Sequence, residues 1–399
     1  MDTRTLLEWS AKHHTPNYGS RAPICLVRGE GVRVWDSDGR EYLDFGSGIA
    51  VTSLGHCHPR VTGAIQEAAA TLLHVSNLYH SPPQIHLAKL LTEHSFADRV
   101  FFANSGAEAN EAAIKIARKY ARETWSDDRF EIVATKNSFH GRTMATVTAT
   151  GQEKYQHGFE PLLPGFKHVP YNDLNAMELA IDNRTAAVLV EPIQGEGGVH
   201  VPSDTYLAGL RTLCDEAGAL LIFDEIQTGV GRTGRLWCYE HWGVEPDIMT
   251  LAKALANGVP IGAMLTREEI ASVFTAGTHG STFGGTPFVA SVALATLTTM
   301  IDEKIPERAA QMGGYLMERL GRLPSLGVPV KEVRGKGLLI GIELDGPAGP
   351  VVDACREAGL LVLSAGDRVL RLAPPLIVTE TDCHRALETV VTALKKVRT

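Results

Sequence analysis

Residues 219–227 read Ala-Leu-Leu-Ile-Phe-Asp-Glu-Ile-Gln, and this stretch is the strongest indication of the chain's architecture. Its first five residues form a short apolar run that ends at Asp224, and a second run, residues 248–252, ends at Lys253. Short apolar runs bounded by turn residues are typical of strands buried in a sheet. In open α/β sheets, catalytic groups gather beyond the carboxyl ends of the strands. The sequence therefore predicts a carboxylate and an amine at one edge of a sheet.

Similar apolar runs alternate with helical patterns between about residues 60 and 285. They lie at 99–103, 131–135, 186–190 and 261–265. This alternation predicts an α/β fold with a mostly parallel, helix-covered sheet. We expect an irregular N-terminal segment (1–50) packing with a small domain, a large domain (51–287) that holds the site, and a smaller α+β C-terminal domain (288–399). The C-terminal part has helical patterns at 288–302, 307–322 and 380–396, with strand-like pieces at 337–344 and 368–372.

The composition is that of an ordinary soluble globular protein, with 44% hydrophobic and 21% charged residues among 399. A net charge of −8 argues against nucleic acid or an anionic membrane as the main partner. No apolar stretch approaches the ~20 residues that a membrane-spanning helix needs. The first ten residues lack the apolar core of a secretory signal, and the six cysteines show no paired spacing. We expect a cytoplasmic protein with reduced thiols.

Asp224, Gln227 and Lys253 together suit pyridoxal phosphate. This cofactor requires a lysine that forms a Schiff base and an anion that keeps the pyridine nitrogen protonated. Taken singly, an Asp at a strand end is more often a helix N-cap, and a Lys there is more often a solvated charge. The motifs in neighbouring loops favour the catalytic interpretation.

Residues 104–110, Asn-Ser-Gly-Ala-Glu-Ala-Asn, join a predicted strand to a helix that runs to about Trp125. The free backbone N–H groups and the positive end of the helix dipole make such a junction an anion site. Gly106 lets the backbone approach a phosphate closely. The alternative is that Ser105 serves only as a helix N-cap.

Three further loops carry candidate residues. In Ser-Phe-His-Gly-Arg-Thr, residues 138–143, Phe139 can stack on a cofactor ring and Arg142 can bind a carboxylate. In Glu-Pro-Ile-Gln-Gly-Glu-Gly-Gly, residues 191–198, the two acids could equally indicate glycoside hydrolysis or metal binding. In Gly-Ser-Thr-Phe-Gly-Gly, residues 280–285, the hydroxyls suit phosphate or substrate, although the loop could be a plain linker.

Other motifs are weaker. Residues 229–234 match G-x-G-x-x-G, but no helix pattern follows them, so a nicotinamide-dependent dehydrogenase is an improbable alternative of another class. Residues 55–59, Gly-His-Cys-His-Pro, lack a distant second pair of ligands, so we predict no metal site. No serine lies in G-x-S-x-G, the motif of α/β-hydrolases.

At these motifs the chain resembles the class III aminotransferases, which are fold type I pyridoxal-phosphate enzymes. The matching blocks occur in family order over nearly the whole length: Asn-Ser-Gly-Ala-Glu-Ala-Asn, Phe-His-Gly-Arg-Thr, Glu-Pro-Ile-Gln-Gly-Glu-Gly-Gly, Asp-Glu-Ile-Gln with Lys253, and Arg-Leu-Ala-Pro-Pro-Leu at 371–376. The resemblance implies transfer of the δ-amino group of N-acetylornithine to 2-oxoglutarate, a step of arginine biosynthesis. Succinyl-diaminopimelate, ornithine and 4-aminobutyrate stay open as donors. It also implies a homodimer with shared active sites.

The resemblance also implies a role for each matching residue. Lys253 would bind the cofactor and move the proton, and Asp224 would hold the pyridine N–H. The other cofactor-binding residues would be Ser105, Gly106 and Ala107 at the phosphate, Phe139 and Ile226 on the ring faces, Gln227 at the phenolic oxygen, and Thr282 of the neighbouring subunit. The substrate would meet Arg142, at its α-carboxylate, and Ser281, while Glu196 would pair with Arg371 in one half-reaction and release it in the other. Two positions depart from the family pattern, since Thr286 stands where Asn is usual and Asn257 where Gly is usual.

Overall fold

The computed structural model describes residues 3–19 and 21–397 of the chain. The strands are β1 (Leu26–Glu30), β2 (Arg33–Asp36), β3 (Glu41–Asp44), β4 (Arg99–Ala103), β5 (Glu131–Thr135), β6 (Phe166–Val169), β7 (Thr185–Val190), β8 (Leu220–Asp224), β9 (Ile248–Leu251), β10 (Gly262–Thr266), β11 (Val330–Lys336), β12 (Leu339–Leu344), β13 (Leu360–Leu361), β14 (Leu363–Ala365) and β15 (Val369–Leu372). The helices are α1 (Thr3–His13), α2 (Ser47–Ala50), α3 (Pro59–Thr71), α4 (Pro82–Glu93), α5 (Gly106–Thr124), α6 (Met144–Ala149), α7 (Leu174–Ala180), α8 (Tyr206–Ala217), α9 (Glu268–Ala271), α10 (Pro287–Asp302), α11 (Ile305–Leu320), α12 (Gly349–Glu357) and α13 (Glu380–Val397). None of these helices is long and apolar enough to cross a membrane.

The central sheet has seven strands in the order β4-β10-β9-β8-β7-β5-β6. Its strands run parallel except for β10, which pairs antiparallel with both β4 and β9. Every residue of β7 and β8 is buried, as expected for parallel strands covered on both faces. The prediction of a mostly parallel, helix-covered sheet is therefore confirmed.

Two smaller sheets flank the central one. In the first, β1, β2 and β3 continue into β13, so the N-terminal strands pair with a segment from the C-terminal third of the chain. In the second, β11, β12, β15 and β14 form an antiparallel sheet that carries Arg371. Helix α10, which follows the expected domain boundary at residue 287, packs against α3 and α4. The division into domains stays a prediction.

The first residues differ from the irregular segment that the sequence led us to expect, because α1 spans Thr3–His13. The helix contains good helix formers and an Arg4–Glu8 pair four residues apart. None of its residues is buried. The helix therefore lies at the surface of the chain.

The register of β8 and β9 places Asp224 and Lys253 at the same edge of the central sheet. Asp224, the last residue of β8, pairs with Thr250 of β9, and Lys253 follows that strand by two residues. Lys253 has a left-handed backbone with φ of 43°. Such a conformation is strained for a residue with a side chain and persists where the surroundings fix it, which is common at active sites.

Candidate active site

A cavity of about 380 Å³ lies beyond the carboxyl ends of the central strands. This volume falls in the range of small-molecule sites, about 300–1,000 Å³. Most of the candidate residues line it: Ser105, Gly106, Ala107, Phe139, Arg142, Glu196, Asp224, Ile226, Gln227 and Lys253. The structure thus brings together groups that are up to 148 positions apart in the sequence (253 − 105).

Asp224 is 3% exposed and is held by three hydrogen-bond partners. Asn110 Nδ2 donates to Asp224 Oδ2 at 2.7 Å, and His140 Nδ1 lies 2.8 Å from the same oxygen. The backbone N–H of Ile226 donates to the other oxygen, Oδ1, at 3.1 Å. These three hydrogen bonds fix the orientation of the carboxylate. Asp224 is therefore held rigidly where it lines the cavity.

A second layer of bonds supports this carboxylate. Asn110 accepts a hydrogen bond from Thr250 Oγ1 at 2.8 Å through Oδ1 and donates to the carbonyl of His140 at 2.8 Å. The Nε2 atom of His140 is buried and has no partner among the described residues. The imidazole of His140 is therefore oriented with Nδ1 toward Asp224.

The side chain of Lys253 faces the same cavity. Among residues 3–19 and 21–397, none forms a hydrogen bond or an ion pair with its amine. Burial lowers the pKa of Lys253, and Arg371 lowers it further, while the carboxylates of Glu196, Asp224 and Glu191 act in the opposite direction. A lowered pKa increases the fraction of neutral amine, which is the nucleophilic form.

The amino end of α5 closes one end of the cavity. Ser105 is the N-cap, with its hydroxyl accepting from the N–H of Glu108 at 3.2 Å. A Cβ atom added at Gly106 would come within 2.8 Å of Ile226 Cδ1, so a larger residue here would displace the Ile226 side chain. The N-cap interpretation of Ser105 is therefore confirmed, and it is compatible with an anion site at the same helix end, which borders the cavity and stays a prediction.

Glu196, Gln227 and Arg371 form a hydrogen-bonded cluster. Arg371, which is 2% exposed, donates from Nη1 to Glu196 Oε1 at 2.6 Å and to Gln227 Oε1 at 2.9 Å. Gln227 Nε2 donates to Glu196 at 3.1 Å. Burial of Glu196 opposes ionisation, but Arg371 and Lys253 outweigh it and lower the pKa of Glu196. Both ends of the Gln227 carboxamide contact this pair, as a buried amide must satisfy its polar atoms, and its expected role at a cofactor oxygen stays a prediction.

Arg142 is exposed and contacts aromatic rings. Its Cζ lies 3.7 Å from the ring centroid of Tyr155 and 5.3 Å from that of Phe139. In the part of the chain that the structure describes, no carboxylate pairs with it. Its hydrogen-bonding edge is therefore available to the carboxylate of a small molecule.

Ser281 and Thr282 do not line this cavity in the described structure. Ser281 Oγ instead binds Asn104 Nδ2 at 3.1 Å and the N–H of Gly284 at 3.0 Å. Thr282 is exposed. A contact between Thr282 and a phosphate in this cavity would require a second copy of the chain.

Four residues near the site were not assigned roles from the sequence: Asn110, His140, Tyr155 and Glu191. Asn110 is a buried polar residue among the alanines on the inner face of α5, and this break in an apolar face is a usable signal. Glu191 accepts hydrogen bonds from the N–H groups of Phe139 and Gly195, both at 2.9 Å, and joins two loops. Burial raises the pKa of Glu191 to about 7.

The loop at residues 229–234 serves the fold. No helix begins in it or directly after it, as the sequence indicated. Arg232 is fully buried there and donates to the carbonyls of Leu338 and Pro374 and to Ser53 Oγ. The loop thereby connects the central part of the chain with its N- and C-terminal parts.

Comparison with known proteins places this geometry in context. The family model described as aminotransferase class-III matches residues 15–394. An acetylornithine aminotransferase of Caldanaerobacter subterraneus is 50% identical over 394 residues, covering 98% of this chain and 100% of the relative. That of Myxococcus xanthus is 52% identical over 381 residues, with 94% of each chain covered.

Solved structures agree with these relatives. The ornithine aminotransferase from Toxoplasma gondii superposes with a TM-score of 0.96 at 37% identity, covering 100% of this chain and 96% of that chain. The acetylornithine aminotransferase from Elizabethkingia anophelis has a TM-score of 0.89 at 35% identity, covering 99% and 100%.

Proposed function

Because the chain belongs to the class III aminotransferases, we propose that it transfers the δ-amino group of N2-acetyl-L-ornithine to 2-oxoglutarate. The products are N-acetyl-L-glutamate 5-semialdehyde and L-glutamate, as in arginine biosynthesis. The observation that carries the proposal is one cavity lined by Lys253, Asp224 and Glu196. Arg371 is not among its lining residues and lies directly behind Glu196, to which it donates at 2.6 Å. Curated relatives near 50% identity with this activity in their names support the choice of donor.

The cofactor of this family is pyridoxal 5′-phosphate, and the residues of the cavity fit it. In the described residues, one oxygen of Asp224, Oδ1, accepts only from a backbone N–H, so it can also accept from a pyridine N–H. Gly106 leaves the end of α5 open to a phosphate, and Phe139 and Ile226 offer apolar surfaces for a ring. When bound, the cofactor supplies an electron sink for the carbanion that forms when the donor carbon loses a proton.

We assign the chemical steps to two residues. Lys253 would hold the cofactor covalently through Nζ and, once the donor amine displaces it, carry the proton from the donor carbon. Its lowered pKa favours the free amine that both tasks need. Asp224, oriented by Asn110 and His140, would keep the pyridine nitrogen protonated.

The two substrates differ in charge, and the arginines account for this. N-acetylornithine has one carboxylate, which Arg142 would bind. Its other end is uncharged, and Glu196 neutralises the buried Arg371, whose unpaired charge would be costly. The co-substrate 2-oxoglutarate brings a second carboxylate, which would replace Glu196 on Arg371.

We also propose a cytoplasmic homodimer in which Thr282 of one subunit reaches the site of the other. Large apolar side chains beside this loop are exposed, with Leu78 84%, Tyr79 69% and Phe283 60% exposed. Asn77 donates to the carbonyl of Ser281 at 3.1 Å, so this surface and the loop are continuous. An exposed apolar surface of this kind is typical of an interface.

Two measurements test the function. The purified holoprotein should be yellow, whereas a nicotinamide enzyme would be colourless. A panel of donors with 2-oxoglutarate should give the highest kcat/KM with N-acetylornithine. A higher value with ornithine, 4-aminobutyrate or N-succinyl-diaminopimelate would contradict the donor, and a colourless protein without aminotransfer would contradict the whole proposal.

A further inference from the structure

The guanidinium of Arg142 is oriented by an aromatic ring. Tyr155 lies 3.7 Å from Arg142 Cζ, measured to the ring centroid, and Phe139 meets the Tyr155 ring edge-on with centroids 5.8 Å apart. A cation over a ring face is attracted by the ring quadrupole. Since no carboxylate among the described residues holds Arg142, ring contacts set where its guanidinium lies, and Tyr155 is the nearer of the two rings, with Phe139 5.3 Å from Cζ.

The segment that carries Tyr155 is tied to the loop that carries Arg142. Tyr155 ends a 3₁₀ turn, Glu153–Tyr155, and its N–H donates to the carbonyl of Gln152 at 3.0 Å. The side chain of Gln152 donates to the carbonyl of Ser138 at 3.0 Å. Gln156 donates to the carbonyl of Thr150 at 2.8 Å, beyond the end of α6. The ring is therefore fixed relative to residues 138–150.

An aromatic ring and a carboxylate would affect substrate binding by Arg142 in different ways. A carboxylate binds the N–H edge of a guanidinium and neutralises it, so it would compete with a substrate carboxylate. A ring contacts the face and leaves the N–H donors free for a bidentate pair. The contact thus orders the long Arg142 side chain before the substrate binds, which lowers the entropic cost of binding.

We propose that Tyr155 is a positioning residue that sets the enzyme's preference for donors with an α-carboxylate. The inference rests on the proposed function, in which Arg142 binds that carboxylate. Tyr155 touches neither the donor nor the reacting atoms and acts through Arg142.

The test compares two donors in single-turnover amine half-reactions of the holoenzyme, so that 2-oxoglutarate plays no part. The donors are N-acetylornithine and N-acetylputrescine, which is the same molecule without the carboxylate. Tyr155→Leu should raise the half-saturating concentration of N-acetylornithine by about 2- to 30-fold, the range of a cation–π contact. The rate with N-acetylputrescine should change less than about twofold. Tyr155→Phe, which keeps the ring, should behave as wild type with both donors.

Binding gives an independent readout. N-acetyl-L-norvaline has the carboxylate and the acyl group but no amine, so it cannot react. Calorimetry should show that Tyr155→Leu weakens its binding by a factor similar to that for N-acetylornithine. Tyr315→Leu is a matched control, because Arg319 Cζ lies 3.5 Å from the Tyr315 ring on α11, away from the cavity. It should leave both donors and the ligand unaffected.

Two results would overturn the proposal: an equal loss with both donors in Tyr155→Leu, or no loss with either. Arg142→Ala separates the two levels of the argument. If it abolishes the preference for N-acetylornithine while Tyr155→Leu has no effect, only the role of Tyr155 fails. If Arg142→Ala keeps the preference, the carboxylate lies elsewhere and the assignment of Arg142 fails as well.

Discussion

Two acidic residues that line the cavity, Asp224 and Glu196, are held in different ways. Asp224 takes its side-chain partners, Asn110 and His140, from α5 and from a loop that follows β5 of the central sheet. Glu196 takes its ionic partner, Arg371, from β15 of the C-terminal sheet. Asp224 is thus held by side chains around the central sheet, whereas the Glu196–Arg371 ion pair links the central sheet to the C-terminal sheet.

This difference matches the two tasks of a reaction with alternating substrates. The carboxylate of Asp224 must keep its place in both half-reactions, and the hydrogen bonds from Asn110, His140 and the Ile226 N–H hold it there. The charge on Arg371 must be matched first by Glu196 and then by a substrate carboxylate. Gln227 is hydrogen-bonded to both Glu196 and Arg371. It can therefore keep Arg371 in place when a substrate carboxylate replaces Glu196 as the partner of this arginine.

Lys253→Ala gives the largest expected effect, because the covalent attachment and the proton carrier are lost together. Turnover should fall to background, while the phosphate and ring contacts still allow the cofactor to bind. Borohydride reduction of the wild-type holoenzyme followed by peptide mapping should label Lys253. Label on another lysine would refute the assignment.

Asp224→Asn tests the role of the carboxylate that Asn110 and His140 hold in place. Removing the charge should cost on the order of 10²-fold or more in the amine half-reaction, since an electrostatic contribution at the reacting group is lost. Single-turnover absorbance measurements check this. A near-normal rate would show that the pyridine nitrogen lies elsewhere, and the comparison between Asp224 and Glu196 would lose its basis.

Arg371→Ala and Glu196→Ala test whether the ion pair between these two residues opens during the reaction. Arg371→Ala should raise KM for 2-oxoglutarate by roughly 10- to 10³-fold, as expected for a lost charged pair. Glu196→Ala should instead impair the amine half-reaction more, and it should admit α-amino donors such as glutamate. Stopped-flow rates of both half-reactions decide between them. Equal losses in the two halves would mean that Glu196 and Arg371 do not alternate.

The parts predicted well from sequence are those with local signals. The strands at 99–103 and 131–135 match the structure to the residue, because apolar runs end there at turn residues. Strand β6, Phe-Lys-His-Val, lies at the sheet edge with mixed polarity and gave no such signal. The roles of Asn110 and His140 escaped prediction because their bonds to Asp224 span 114 and 84 positions. Pairings at that distance depend on the fold, which one sequence does not display.

Glu225 is a matched control for Asp224, being its neighbour and equally buried but facing away from the cavity. It accepts from the N–H groups of Cys238 at 2.6 Å and Tyr239 at 2.8 Å, and burial raises its pKa to about 8. Because this pKa lies above that of the unfolded chain, the stability that the group contributes is full at about pH 4 and is lost as the pH rises to about 8. Glu225→Gln should flatten the fall of Tm between pH 5 and 8 without changing the cofactor spectrum. An altered cofactor spectrum would mean that Glu225 also influences the cofactor, and it would then not serve as a control for Asp224.

Substitutions of Asn257 should give the smallest effect, and they test how the turn that carries Lys253 is held in place. It follows the turn that carries Lys253 and has a left-handed backbone with φ of 48°, a conformation that Gly and Asn tolerate. Its carboxamide accepts from the N–H of Leu54 at 2.8 Å and donates to the carbonyl of Gly55 at 3.0 Å. This explains how Asn replaces the usual Gly, since it keeps the backbone and adds two bonds.

Asn257→Gly should lower the free energy of unfolding by about 1–2 kcal/mol through those two bonds. Asn257→Ala should lower it by about 1 kcal/mol more, because alanine also strains the left-handed backbone. Denaturant unfolding of the holoenzyme measures both, and cofactor dissociation should accelerate in the same order, since the turn positions Lys253. Equal stability of the two variants would show that the backbone there relaxes freely. Lys253 would then not be held by its turn, and the rigidity of this part of the site would rest on Asp224 and its partners alone.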